Sequence, residues 1–247
     1  MSGRGLGTTV VTGAAGGIGS AIVRTVLDRG GSVVGVDLAA CPVPPSDRLH
    51  WVRGDVTDIT TLDAAFEAAG RAGGARALVC SPFADDRAPL EDLTADRITA
   101  VFEQQVVSAW QWGARLAGTR DTAAGDSAIV HVSSVHARSA ATGLGPYAMA
   151  KSALEALTRA MAVEWGPRGV RCNAVAPGYV PVARNAHRRR DPGALDSIAR
   201  RLPLRRVVTA ADVAEAVVFL ADPRAAGVTG VCLPVDAGMG AAMPDWA

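Results

Sequence analysis

Lysine is almost absent from this 247-residue chain: of its 25 basic residues, all but Lys151 are arginine. Aromatic residues are scarce too, at 4%, and the only tyrosines are Tyr147 and Tyr179. Charge of either sign is not in excess, since 25 basic and 24 acidic residues leave a net charge of +1. That balance excludes a global field drawing the protein to nucleic acid or to an anionic membrane. No apolar run reaches the roughly 18 residues that a membrane span requires, and the glycine-rich start, Met1 to Gly7, does not read as a signal peptide. Cys41, Cys80, Cys172 and Cys232 are scattered, without the paired spacing of a zinc or redox site, so no metal is expected. Four such thiols fit a reducing compartment, and a cytoplasmic single-domain protein is the expectation.

What the chain does have is alternation. Val-rich runs at Thr8–Thr12, Ser32–Asp37, Leu49–Arg53, Ala75–Cys80, Ser127–Ser133, Val170–Ala176 and Gly230–Val235 read as strands. Between them, Gly17–Arg29, Ile59–Ala72, Leu93–Gly118, Tyr147–Trp165 and Ala210–Ala221 carry apolar residues at helical spacing, the third as one long helix or two shorter ones. Strands alternating with helices predict an α/β fold with a parallel sheet covered on both faces. Two stretches interrupt the pattern. The proline-rich Cys41–Arg48 is too short for a crossover helix and reads as a loop. Tyr179–Arg206 is long, arginine-rich and interrupted by Pro181, Pro192 and Pro203, as expected of a lid over a binding site.

Thr12-Gly13-Ala14-Ala15-Gly16-Gly17-Ile18-Gly19 lies between the first strand and the first helix. Glycine there permits a tight turn and close approach of backbone to a pyrophosphate, which the amides of the helix N-terminus then bind. Asp37 closes the second strand, where a carboxylate accepts hydrogen bonds from both adenosine ribose hydroxyls and repels the additional phosphate of NADP. No arginine directly follows it, which favours NAD. A turn-capping aspartate is the plainer alternative.

Tyr147 and Lys151 stand four residues apart at the start of a helical stretch and share a face. A free phenol has a pKa of about 10, too high for a base at neutral pH. An ammonium about 4 Å away, at an effective dielectric of about 20, contributes about 4 kcal/mol, or roughly three pKa units. Lys151 is thus expected to bring Tyr147 near pH 7, where general acid/base catalysis works best. Ser134, just past a strand end, is placed to hold the reacting oxygen.

These features together resemble the short-chain dehydrogenase/reductase family in its branch of roughly 250 residues. The resemblance covers nearly the whole chain. It rests on Thr12–Gly19, Asp55-Val56, Ser134, the run from Tyr147 to Lys151, Arg171–Gly178, Pro203–Arg206, Asp212–Ala214 and Thr229-Gly230. It implies a single doubly wound Rossmann domain with about seven parallel strands and helices on both faces. It also implies tyrosine-based proton transfer, hydride exchange with a nicotinamide, and a homotetramer or homodimer. By the same resemblance, Gly13, Gly17, Ile18, Gly19 and Asp37 bind the dinucleotide, Asp55 and Val56 the adenine, Lys151 the nicotinamide ribose, and Pro177, Gly178 and Val180 the nicotinamide side.

Three departures stand out. Cys80-Ser81-Pro82-Phe83 occupies the place of the family's Asn-Asn-Ala-Gly, and Val182 stands where a threonine often bonds the nicotinamide amide. Gln105 takes the place of a helix asparagine that helps hold a proton-relay water, in a segment, Val101–Gln105, that carries extra residues. His136 is a second polar group for a substrate pocket or a solvent-facing loop histidine. His187-Arg188-Arg189-Arg190 reads as a solvated charge run, though it can attract a carboxylate or a coenzyme A thioester. Trp110 and Trp112 read as core or interface, and the tail Met243–Ala247 as a contact to a neighbouring subunit.

The expected activity is NAD-dependent interconversion of a secondary alcohol and a ketone, with Ser134, Tyr147 and Lys151 catalytic and Gln105 supporting a relay. The short span from Asp37 to Asp55 resembles family members that aromatise cyclic dihydrodiols, which points to a ring alcohol of secondary metabolism. Two alternatives remain: a nicotinamide-binding sensor or scaffold without useful turnover, and a redox-neutral dehydratase or epimerase.

Overall fold

In the computed structural model, which describes residues 6–119, 126–189, 191 and 193–242, the Val-rich runs form one seven-stranded parallel sheet. The strands are β1 (Thr8–Thr12), β2 (Ser32–Asp37), β3 (Leu49–Arg53), β4 (Ala75–Cys80), β5 (Ser127–Val132), β6 (Val170–Pro177) and β7 (Cys232–Val235). Their order is β3-β2-β1-β4-β5-β6-β7. The order reverses between β1 and β4, where the loops after the strand ends diverge and leave a crevice.

Successive strand residues face opposite sides, so each strand feeds two cores. Val11, Val33, Val79, Val130 and Val175 point to one side and pack with Ile22, Val23 and Val26 of α1 (Gly17–Asp28) and Val213, Val217 and Val218 of α7 (Ala210–Ala221). Val10, Val34, Leu78, Ile129 and Cys172 point to the other. There they meet α2 (Ile59–Arg71), α4 (Ser108–Gly118) and α5 (Gly145–Trp165). Both faces of the central strands are therefore dry, which explains their unbroken apolar runs. Among the described residues, no helix is long and apolar enough to cross a membrane.

The stretch read from Leu93 to Gly118 becomes α3 (Ala95–Phe102), a single π-helical turn at Glu103–Val107, and α4. A π turn absorbs inserted residues without ending a helix, and it lies beside the surplus seen in Val101–Gln105. Trp112 is buried and donates its indole N–H to the Val56 carbonyl at 2.8 Å, whereas Trp110 is 50% exposed. Cys41–Arg48 is a loop. The 179–206 segment folds into a kinked helical stretch at Ala183–Arg189 and a short α6 (Ala194–Ala199). His187 is exposed. Arg190, Pro192 and Met243–Ala247 lie outside the described residues.

Candidate active site

The crevice at the C-terminal ends of the strands holds a cavity of about 320 Å³. Its walls bring together Gly17, Ile18 and Gly19 of the first turn, Ser134, Tyr147 and Lys151, and Pro177, Gly178 and Val180 after β6. Gly13, Asp37, Asp55, Val56 and Gln105 lie outside these walls.

The glycine-rich turn is held by local sterics. Gly13 has φ +67°, and a Cβ there would run into the Ser81 carbonyl. A Cβ on Gly19 would strike the Gly13 carbonyl, and one on Gly17 would lie 2.5 Å from Val182 Cγ1. Ala14 N–H donates to the Val36 carbonyl at 3.1 Å, fastening the turn to β2. The N-cap of α1 is Gly16, so no side chain caps this helix. Its leading amides and positive dipole end face the crevice as an anion site.

Asp37 lies beyond the cavity, tied to the same turn. Its Oδ2 accepts from Ala15 N–H at 2.9 Å and its Oδ1 from Ala39 N–H at 3.0 Å. Arg53 stands opposite Asp37 in the β2–β3 register and gives its Nε–H to the Leu38 carbonyl. A cation next to Asp37 was invisible in sequence, because it arrives from the neighbouring strand. Asp55 caps a tight turn through Thr57, accepting from its amide and its hydroxyl.

The candidate acid/base pair, Tyr147 and Lys151, lies on α5. Tyr147 is half-buried, and the Ser134 hydroxyl lines the same cavity, close enough to lower the phenol's pKa. Ser134 Oγ also accepts from His136 N–H at 3.2 Å, which fixes its direction. Lys151 is buried at 3% exposure; its Nζ donates to the Val132 carbonyl at 2.8 Å and lies 5.6 Å from the centre of the Tyr147 ring. Burial drives the Lys151 pKa down to about 7, with the nearby Arg184 charge acting in the same direction.

The protonation balance departs from the expectation that Lys151 brings Tyr147 towards neutrality. Removal from water raises the Tyr147 pKa above its ordinary value. The opposing influences are the Ser134 hydroxyl and the charges of Arg184 and Arg87 rather than Lys151. The reason is physical. A buried ammonium that is itself losing its proton is a weak stabiliser of a phenolate.

Behind this pair the wall is inert. Burial pushes the Cys80 thiol up to about 12 and the His131 imidazole down to about 3, so both are neutral at pH 7. Gln105 sits within the π turn, 1% exposed, and donates its amide N–H to the Ala84 carbonyl. It thereby braces the Ser81–Ala84 loop, while its Oε1 has no partner among the described residues.

Two cavity residues were missed by sequence reasoning. Phe83 packs against Tyr147 with ring centres 5.5 Å apart, and the Arg184 guanidinium carbon lies 3.2 Å from the centre of the Phe83 ring. Arg184 is one of many arginines in its segment, and nothing in the sequence sets it apart.

The sheet order, the glycine-rich turn and the Ser134-Tyr147-Lys151 group define a nicotinamide-type oxidoreductase architecture. The chain belongs to the short-chain dehydrogenase/reductase family: residues 13–240 match the family model described as enoyl-(acyl carrier protein) reductase. It is 37% identical over 238 residues to cis-4-hydroxycyclohexanecarboxylate dehydrogenase of Sinomonas cyclohexanicum, covering 93% of this chain and 94% of the relative. It is 32% identical over 250 residues to 2-(R)-hydroxypropyl-CoM dehydrogenase of Xanthobacter autotrophicus, covering 92% of this chain and 96% of that one. Among solved structures, ligand-free aldohexose dehydrogenase of Thermoplasma acidophilum superposes with a TM-score of 0.86 at 25% identity, covering 97% and 96% of the two chains.

Proposed function

We propose that the protein oxidises a secondary alcohol to a ketone, or the reverse, with NAD as cofactor and Tyr147 as general acid/base. The observation that carries this reading is that Tyr147, Ser134 and Lys151 line one cavity, with Lys151 Nζ 5.6 Å from the centre of the Tyr147 ring.

The residues present fit a dinucleotide. The turn is sterically closed to side chains at Gly13 and Gly19, and the α1 N-terminus is left without a cap. Gly17, Ile18 and Gly19 would hold the pyrophosphate, Asp37 the adenosine ribose, and Pro177, Gly178 and Val180 the nicotinamide end. Bound there, the nicotinamide supplies a hydride acceptor or donor. In the oxidation direction, Ser134 would hold the substrate oxygen and Tyr147, in the minor phenolate form that its raised pKa leaves at neutral pH, would take the hydroxyl proton at its Oη. In its protonated form Lys151 has two N–H donors beyond the one given to Val132, available to a ribose hydroxyl and to the Tyr147 oxygen. The orphaned Gln105 Oε1 is an acceptor suited to a relay water. A ring alcohol is the favoured substrate, since the first relative above is named for a hydroxylated cyclohexane.

Steady-state reduction of NAD over a panel of cyclic and open-chain secondary alcohols, with Tyr147→Phe alongside, tests the reading. Turnover that disappears in Tyr147→Phe supports it, and undiminished activity in that variant sinks it. Tight NADH binding without turnover across the panel favours a sensor, and product without net NADH favours redox-neutral chemistry. For the cofactor, Asp37→Ala is expected to narrow the preference for NAD over NADP by about tenfold, or about 1.4 kcal/mol. A wild type that prefers NADP overturns the NAD assignment and shifts attention to Arg53.

A further inference from the structure

We propose that the alcohol substrate carries a carboxylate or sulfonate, and that Arg184 binds this anion at the wall of the catalytic cavity. The proposal deepens the oxidoreductase reading and rests on it.

The charges around the cavity are not equivalent. Arg87 and Asp85 both line it and form an ion pair at 2.7 Å, while the Asp85 charge is also felt at Arg184. Arg184 lines the same wall with neither a hydrogen bond nor an ion pair among the described residues. Its guanidinium carbon sits over the Phe83 ring, 3.2 Å from the ring centre, a cation–π contact that gives none of its N–H donors to a protein acceptor. The five N–H donors lie in the plane of that fork and point outward from its edge. A structural arginine directs those donors to carbonyls or carboxylates. Arg171 does so, giving its donors to the carbonyls of Leu220, Val228 and Asp222. Arg184 retains its donors for a planar or tetrahedral oxyanion that can accept two at once.

The position suits a substrate subsite. The stack runs from Arg184 to Phe83 to Tyr147, so the guanidinium lies no further from the phenol ring than two ring contacts. Pro82, Phe83, Val135, Leu144, Val182 and Met239 make much of the remaining wall apolar. Such a space takes an apolar body with its hydroxyl at Tyr147 and its anion at Arg184. Electrostatics agree: the Arg184 charge is felt at both Tyr147 and Lys151. An anion seated there would offset that charge beside the buried ammonium.

Calorimetric titration of the full-length protein with cyclohexanecarboxylate and with neutral cyclohexanecarboxamide tests the subsite without turnover. The wild type is expected to prefer the carboxylate by about tenfold to about a hundredfold, the usual span for a hydrogen bond to a charged group. Arg184→Gln should abolish that preference, and Arg184→Lys should restore part of it. No carboxylate preference in the wild type, or one that survives Arg184→Gln, overturns the proposal. A preference lost in Arg87→Gln but kept in Arg184→Gln also overturns it. Turnover separates the two levels of the argument. Tyr147-dependent oxidation of neutral and anionic alcohols with equal kcat/KM removes the subsite and leaves the oxidoreductase reading standing. Arg184-dependent carboxylate binding in a protein that turns over no alcohol supports the subsite and removes that reading.

Discussion

Helices α1 and α7 lie on the same face of the sheet, yet their N-termini are finished in opposite ways. At α7, Thr209 and Asp212 close a capping box: the Thr209 hydroxyl accepts from Asp212 N–H at 3.1 Å, and the Asp212 carboxylate accepts from Thr209 N–H at 2.8 Å. Arg206 adds an ion pair to the same carboxylate, which holds its pKa well below the usual carboxylate range. At α1 the N-cap is Gly16, with nothing to offer the leading amides. Where a helix end serves only the fold, its orphan donors are satisfied from within; where donors are left open, they are available to a ligand. The buried cations repeat the contrast, with Arg171 bonded to carbonyls on several sides and Lys151 to one carbonyl beside an open cavity.

If that division between folding groups and reacting groups is correct, variants on the two sides should fail differently. The largest expected effect is at Tyr147. Removal of its hydroxyl in Tyr147→Phe should lower kcat by about 10²- to 10⁴-fold, the range for general acid/base catalysis. Thermal melting should stay close to wild type, because the ring contacts to Phe83 and His136 remain. A variant that loses stability in proportion to activity would break the division.

Lys151 straddles it, since the group proposed for the chemistry costs the fold. Its folded pKa is about 7 against an ordinary 10.5. Between those values the unfolded chain holds a proton that the folded one has released, so wild-type stability should rise with pH from about 7 towards 10. The slope contributed is at most about 1.4 kcal/mol per pH unit. Below pH 7 both states are protonated and the full cost of the buried ammonium is present. Lys151→Met should lose the rise, as read from urea midpoints of the cofactor-free protein. Parallel profiles for the two proteins would show that the ammonium is solvated in the folded state.

Much of this architecture was legible in sequence, for identifiable reasons. Strands β1, β2 and β4 begin and end where the Val-rich runs do, because each is an inner strand buried on both faces and reads as a continuous apolar segment; the half-exposed edge strand β3 also matches its run. The glycine-rich turn and the Tyr147–Lys151 spacing were legible because both are local. The π turn at Glu103–Val107 was visible only as a surplus of residues, since the hydrogen-bond shift that defines it is not a sequence pattern. Arg53 beside Asp37 and Arg184 over Phe83 depend on strand register and on the path of the 179–206 segment. The balance at Tyr147 was misjudged for a related reason: an exposed lysine lowers a neighbouring phenol, whereas this one is desolvated and loses its own proton.

The α1 end can be converted towards the α7 state. Gly16 has φ −63° and ψ 162°, extended backbone that any residue adopts. Gly16→Asp places a carboxylate where it can cap the leading amides, and that charge opposes a pyrophosphate at the same donors. NADH affinity, followed by fluorescence titration, should fall by about tenfold or more, with little change in thermal stability, since the gain from the cap is offset by a Cβ 3.3 Å from the Gly13 carbonyl oxygen. Unchanged affinity would mean that the α1 amides do not meet the phosphates.

The smallest effect should come from the reverse operation. Thr209→Ala removes the α7 cap and leaves the amide of Asp212 without its acceptor. The loss is about 1 kcal/mol for an N-cap, or about 2–4 °C in Tm for a chain of this size. Arg206 and Asp212 remain paired, which limits the damage to the cap itself. Because α7 ends face no part of the cavity, NADH affinity and kcat/KM should match wild type. A fall in either would show that the capped end also contributes to the site, and the two helix ends would then differ in degree rather than in purpose.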